Sequence, residues 1–223
     1  MNKAVDLIKE TLKGKTFYRI LFNWMVADHC VALGGVCIDL ASGKDPSYAR
    51  YWKIKPERLI KVDLNKLSEP DVIADLNSPL PFPENFADNI FLFNFLCYFS
   101  SSPLSLLREI RRVLKPGARV FLTGEFIKSE ETGATDLNRF TSKQLETILL
   151  QAGLSEIKIL SMGERFCAAG NLTDFAVGNF IMIRFLKIFS RLICLSLDRL
   201  SSRRMKKNYL CPIGWFVIAR KEK

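Results

Sequence analysis

Four polar side chains each follow a short apolar run: Asp39 after Val36 to Ile38, Asp63 after Leu59 to Val62, Asp75 after Val72 to Ala74, and Asn94 after Ile90 to Phe93. A carboxylate in such a place can accept hydrogen bonds from two hydroxyls, each contributing about 1.5–3 kcal/mol when the acceptor is charged. Ala41, Ser42 and Gly43 follow Asp39, and their small side chains let a ligand come close to the backbone. Asp63 stands about twenty residues beyond that loop, the spacing of an acid that holds ribose hydroxyls. One strand-ending acid reads equally well as a turn or helix cap. Four polar groups forming one rim point to a nucleoside-type ligand.

The rim needs strands to carry it. Val36–Leu40, Leu59–Asp63, Val72–Leu76, Asn89–Asn94, Arg119–Thr123 and Glu156–Leu160 have buried-strand patterns, and Tyr209–Arg220 is a β-rich closing run. Helical spacing occupies residues 1–30 in two pieces, then Pro103 to Leu114 up to Lys115-Pro116-Gly117, and Ser142–Ala152. Apolar strands alternating with helices predict an α/β fold with a parallel sheet covered on both faces. Ligands in such sheets bind at the carboxyl ends of the strands, where the strand order reverses.

Two stretches carry a family resemblance. Asp71 to Asp88 contains an acid at Asp75, a Leu80-Pro81-Phe82-Pro83 loop and Phe86-Ala87-Asp88 opening the next strand; Leu107 to Gly117 adds a helix and its turn. Over residues 36–161, with the last strand at 209–220, the chain resembles the class I S-adenosylmethionine-dependent methyltransferases, in the small-molecule branch related to the ubiquinone-biosynthesis type. The resemblance implies one domain with a doubly wound, mostly parallel seven-stranded sheet whose last strand is antiparallel. It implies S-adenosyl-L-methionine as cofactor, with Asp39, Ala41, Ser42 and Gly43 as its loop and Asp39 steering the methionine amino group. Asp63 and Leu64 would meet the ribose, Asp75 and Leu76 the adenine edge, and Asn94 the methionine side. The family loop has glycines where this chain has Ala41 and Asp45, and Asp45 implies a different path into Pro46. Where the branch often has Glu-His, this chain has Cys97-Tyr98, so Tyr98 and His29 are the candidates to face the acceptor. Each also has a plainer reading, Tyr98 as an aromatic packing residue and His29 as a helix-end histidine.

Composition narrows the function. Of the formal charge of +10, residues 1–164 hold 21 basic and 20 acidic side chains, and residues 165–223 hold 12 and 3. A nucleic-acid surface spread over the whole chain is thereby disfavoured, as is base chemistry, because Asn94-Phe95-Leu96-Cys97 lacks the Pro-Pro-aromatic pattern. Six separate cysteines and one histidine offer no metal site and suit a reduced, cytoplasmic protein. Residues 163–207 interrupt the strand–helix rhythm as a basic helical insertion. In it Arg184, Lys187 and Arg191 share one face opposite Ile181, Phe185, Ile188, Phe189, Leu192 and Leu195. That helix reads as a lid over the acceptor, as a peripheral membrane helix within 175–207, or as a core helix with a solvated charged end. The expected activity is methylation of a small-molecule, glycan or lipid-linked acceptor. A non-catalytic cofactor-fold module at a membrane surface and an NAD(P)-dependent oxidoreductase are the alternatives, the latter lacking its G-x-G-x-x-G loop.

Overall fold

The computed structural model describes residues 2–44, 46, 48–52, 56–100, 102–132, 135–176, 180–204 and 210–223. Helices α1 (Lys3–Leu12) and α2 (Phe17–His29) open the chain. Their first turns are capped by Asn2 and by Thr16, whose hydroxyl accepts from the Arg19 amide at 3.2 Å. Strands β1 (Val36–Leu40), β2 (Arg58–Asp63), β3 (Val72–Ile73) and β4 (Ala87–Leu92) follow, then α3 (Pro103–Val113) and β5 (Leu114–Glu125). The chain closes with α4 (Ser142–Gln151), β6 (Leu154–Met162), α5 (Arg165–Ala176), α6 (Ile181–Arg204) and β7 (Gly214–Lys221).

The seven strands form one sheet in the order β3-β2-β1-β4-β5-β7-β6, with β7 antiparallel to both neighbours and the others parallel. This is the mostly parallel, doubly wound sheet expected from the family resemblance. Its strands alternate between two cores. Ile38, Ile90, Val120 and Val217 point toward α3 and α4, while Cys37, Phe91, Phe121 and Phe216 meet Phe22 and Val26 of α2. Gly35 sets the entry to β1 with φ +66°, and a Cβ there would lie 2.2 Å from the Asp88 carboxylate that accepts from the Val36 amide. Side chains other than glycine are excluded by that contact.

After β3 the chain crosses to the far side of β1 to add β4, so the switch point lies between β1 and β4. Three details differ from the sequence reading. β3 is only two residues long, and Asp75 stands beyond its end in a turn. β5 begins at Leu114 and takes Lys115-Pro116-Gly117 into the strand, across an irregularity in its pairing with β4 between Ala87 and Asn89. The closing strand begins at Gly214, and residues 205–209 of the expected Tyr209–Arg220 run lie outside the described residues.

The insertion is the pair α5–α6, and α6 is turned the other way from the expected solvated charged face. Arg191 is 2% exposed and Lys187 8%, whereas Met182, Leu186 and Phe189 are 80%, 70% and 68% exposed. Arg191 donates to Asp174 of α5 and to the Thr11 hydroxyl of α1, and Lys187 donates to the Asp174 carbonyl at 3.0 Å. Asp198 accepts from the amides of Glu164, Phe166 and Cys167 at the start of α5, at 2.9, 3.0 and 3.2 Å. A helix N-terminus has such orphan amides to satisfy, which draws an acid inward. Helical spacing identifies residues that share a face but leaves open which face is buried.

Candidate functional site

Beyond β1 the backbone turns through the left-handed region twice, at Ala41 with φ +54° and at Gly43 with φ +65°. Alanine keeps the path that glycine would take there, at a cost of about 1–2 kcal/mol. The Ser42 amide donates to the Val62 carbonyl at 3.2 Å, and the Gly43 amide donates to Asp63 Oδ2 at 2.9 Å. Asp63 Oδ1 accepts from the Asn65 amide, also at 2.9 Å, so one carboxylate ties the β1 loop to the end of β2. Each oxygen keeps a free lone pair. No atom lies within 4 Å of where a Gly43 Cβ would stand, which leaves open space beside the loop. Lys44 pairs with Glu69 at 3.0 Å on the exposed side. Asp45 lies outside the described residues.

Asp39 is fully buried beneath Tyr48, whose hydroxyl lies 2.6 and 2.5 Å from its two oxygens. Burial raises the Asp39 carboxyl to about 7, against the lowering influence of that hydrogen bond, and nearby Asp63 raises it further. Tyr48 itself is held protonated by burial and by Asp39, so it remains a donor. Asp39 therefore reaches the site only through Tyr48 and the loop. Asp75 is exposed and accepts from the amide and side chain of Asn77, both at 2.9 Å, which lowers its pKa. Leu76 is buried in the core, and Leu64 is exposed beside Asp63.

Pairing of Leu92 with Leu122 brings the ends of β4 and β5 together, so Asn94 and Glu125 emerge side by side. Asn94 has φ +55°, a left-handed conformation that asparagine tolerates, and its amide donates to Thr123 Oγ1 at 2.7 Å. Tyr18 of α2 donates to Asn94 Oδ1 at 2.5 Å and lies 3.4 Å from Glu125 Oε1. These residues line a cavity of about 230 Å³ with Thr16, Arg19, Tyr98, Lys128, Glu131 and Asn171. Two buried polar atoms in that lining have no conventional partner: Glu125 Oε2, an acceptor, and Asn171 Nδ2, a donor. The Cys97 thiol is only a weak donor to Glu125. Burial raises the Glu125 pKa, opposed chiefly by Lys128.

Tyr98 lines the cavity, but its hydroxyl donates to Glu131 at 2.6 Å and accepts from Lys128 at 3.1 Å. Burial and the Glu131 bond push its pKa up, so it stays a phenol at neutral pH. His29 is not brought to this cluster. It sits eleven residues after Tyr18, roughly 16 Å along α2, with its ring 5.9 Å from Phe216. Sequence reasoning missed Glu125, although it follows an apolar strand just as Asp39 does. Tyr18, hidden in the apolar stripe of α2, and Asn171 had no signal. Among the described residues, no group of three or more His, Cys, Asp or Glu could hold a metal ion.

Residues 38–122 match the family model described as a methyltransferase domain. No curated protein sequence matches the chain. Among solved structures, a SAM-dependent methyltransferase from Archaeoglobus fulgidus aligns with a TM-score of 0.59 at 16% identity, covering 91% of this chain and 94% of that one. Phosphoethanolamine N-methyltransferase 2 of Haemonchus contortus, in complex with phosphomonomethylethanolamine and S-adenosylhomocysteine, aligns at 0.57 and 16% identity; the match covers 92% of this chain and 53% of that one. The [4+2]-cyclase SpnF aligns at 0.53 and 21% identity, covering 90% and 80%. At these identities the structural likeness establishes the fold, and one of the three carries a different chemistry on it.

Proposed function

The chain carries a class I S-adenosylmethionine-dependent methyltransferase domain, and we propose that it methylates an oxygen or nitrogen of a small-molecule, glycan or lipid-linked acceptor seated between Tyr18, Asn94 and Glu125. The observation that carries this reading is the pair of unpartnered buried atoms, Glu125 Oε2 and Asn171 Nδ2, in one cavity lining. A buried polar atom without a partner costs about 1–3 kcal/mol, and an acceptor presenting a hydroxyl or amine beside an oxygen would relieve both atoms.

The residues present fit the cofactor. Free space beside Gly43 and the remaining lone pairs of Asp63 suit a nucleoside, with Asp63 accepting from the ribose hydroxyls. Leu64, Asp75 and Leu76 would border it, and Asn94 would stand on the methionine side. Asp39 acts at one remove, by holding Tyr48 beneath the loop. When bound, S-adenosylmethionine supplies a methyl group already activated on a sulfonium. The protein's part is to align the acceptor with that carbon and exclude water. Glu125, raised by burial toward neutral pH, would take the acceptor's proton as the new bond forms. Tyr18 and Tyr98 would position the acceptor.

Six unpaired cysteines support a reducing, cytoplasmic setting. The Leu80-Pro81-Phe82-Pro83 loop keeps the ubiquinone-biosynthesis-like branch as the preferred relationship.

Glu125→Gln tests the reading. It should lower methyl transfer by about 10²–10⁴-fold while S-adenosylhomocysteine binds unchanged in calorimetry. Full activity in that variant would remove Glu125 from the chemistry. Failure of the unmodified protein to bind the cofactor at millimolar concentration would remove the methyl-transfer reading itself.

A further inference from the structure

Helix α6 is built inside out. Its inward side carries Arg184, Lys187, Arg191 and Asp198, and its outward side carries Met182, Phe185, Leu186, Phe189, Ile193, Leu197 and Leu200 at spacings of one, three and four residues. The inward charges are tied to the body of the protein through Asp174, Thr11, the Leu12 carbonyl and the start of α5. Rolling the helix over would strand several of these charges without partners, so the apolar side is held outward. Helix α1 packs alongside and adds a second outward stripe, Val5, Ile8 and Leu12, with exposed Lys9 among them. Phe180 stands exposed just before α6. Monomeric soluble proteins rarely leave so long an apolar face uncovered.

Charge decides what covers it. Positions 203 and 204, one turn beyond Leu200 on the outward stripe, are both arginine, Arg199 stands on the flank, and the sequence continues Met205-Lys206-Lys207. Residues 165–223 hold 12 basic side chains against 3 acidic ones. A second copy laid face to face would set these positive ends against each other or near each other. An anionic surface meets them favourably. Among the described residues no helix is long and apolar enough to cross a membrane, so the contact is one that lies along the surface.

We propose that α6, with the flanking stripe of α1, docks the protein in the plane of an anionic lipid bilayer. Met182, Phe185, Leu186, Phe189 and Ile193 enter the acyl boundary, and the arginines at 199, 203 and 204 sit at headgroup level. Asn171 and Asp174 of α5 link this face to the acceptor cavity, because Asn171 lines the cavity while Asp174 holds Arg191. Docking would thus place the cavity of the proposed methyl transfer near the bilayer.

Flotation of the full chain with phosphatidylcholine vesicles, with and without phosphatidylserine, tests this. The protein should float with the anionic vesicles and be released in part by high salt. The double variant Phe185→Ser/Phe189→Ser should lower vesicle binding by roughly tenfold or more for each phenylalanine, with circular dichroism and S-adenosylhomocysteine binding unchanged. No flotation with anionic vesicles would overturn the proposal, as would equal flotation of the variant. A dimer in sedimentation velocity that the variant dissolves would assign the face to a second copy and overturn it equally. Cofactor binding, measured alongside, separates failure of this proposal from failure of the methyl-transfer reading.

Discussion

At the scale of single residues, the buried Asp39–Tyr48 pair links sequence to stability most directly. The folded protein keeps a proton on Asp39 up to about pH 7, whereas an unfolded aspartate releases it near 4. The unfolded chain therefore binds fewer protons between those values, and the contribution of Asp39 to stability falls as pH rises from about 4 to 7. The Tyr48 hydroxyl limits that loss by stabilising the ionised form. Tyr48→Phe should destabilise the protein by about 1–3 kcal/mol at pH 8 and by less at pH 5, measured by urea unfolding at both. An equal effect at the two pH values would contradict the pair's assigned role. Glu125 stands in the same class of burial, but with one oxygen open to a cavity. That difference separates a residue that holds the loop from one placed to take a proton.

At the scale of elements, the strands were legible and the insertion was not. Val36–Leu40 and the runs ending near Asp63 and Asn94 are apolar on both faces, as buried parallel strands must be, so pattern alone located them. The closing turn of α3 was misread because Lys115-Pro116-Gly117 ends helices in most settings, whereas here β5 starts at once and absorbs the irregularity opposite β4. In α6 the sequence showed two faces, but the partners that draw the charges inward, Thr11 and Asp174, are distant in sequence. Asp174 is central to that interior. It accepts from Arg191 and from the Phe17 amide at 3.2 Å, and it lies 3.8 Å from Lys187. Asp174→Ala should therefore destabilise the protein by about 3–5 kcal/mol, because buried cations lose their counter-charge. A thermal-melt shift no larger than that of a surface substitution would show that α6 is held by other contacts.

At the scale of the whole molecule, the cofactor rim was largely readable and the acceptor cavity was not. The rim is contributed by strand ends whose order the α/β pattern predicts, and Gly43, Ser42 and Asp63 meet there as the spacing implies. The cavity draws on α2, α5 and the end of β5, three elements that come together only through the tertiary fold. The basic balance of the chain likewise changes meaning with structure. It belongs to the insertion beside the sheet, where it borders an outward apolar helix face. The central claim is that the loop from Ala41 to Gly43, fastened by Asp63, binds S-adenosylmethionine. Calorimetric titration of S-adenosylhomocysteine into the unmodified chain and into Asp63→Ala tests it most directly. The account predicts saturable one-to-one binding, weakened about tenfold to a hundredfold by the substitution as charged hydrogen bonds are lost. Binding equally strong in both proteins, or none in either, would contradict it.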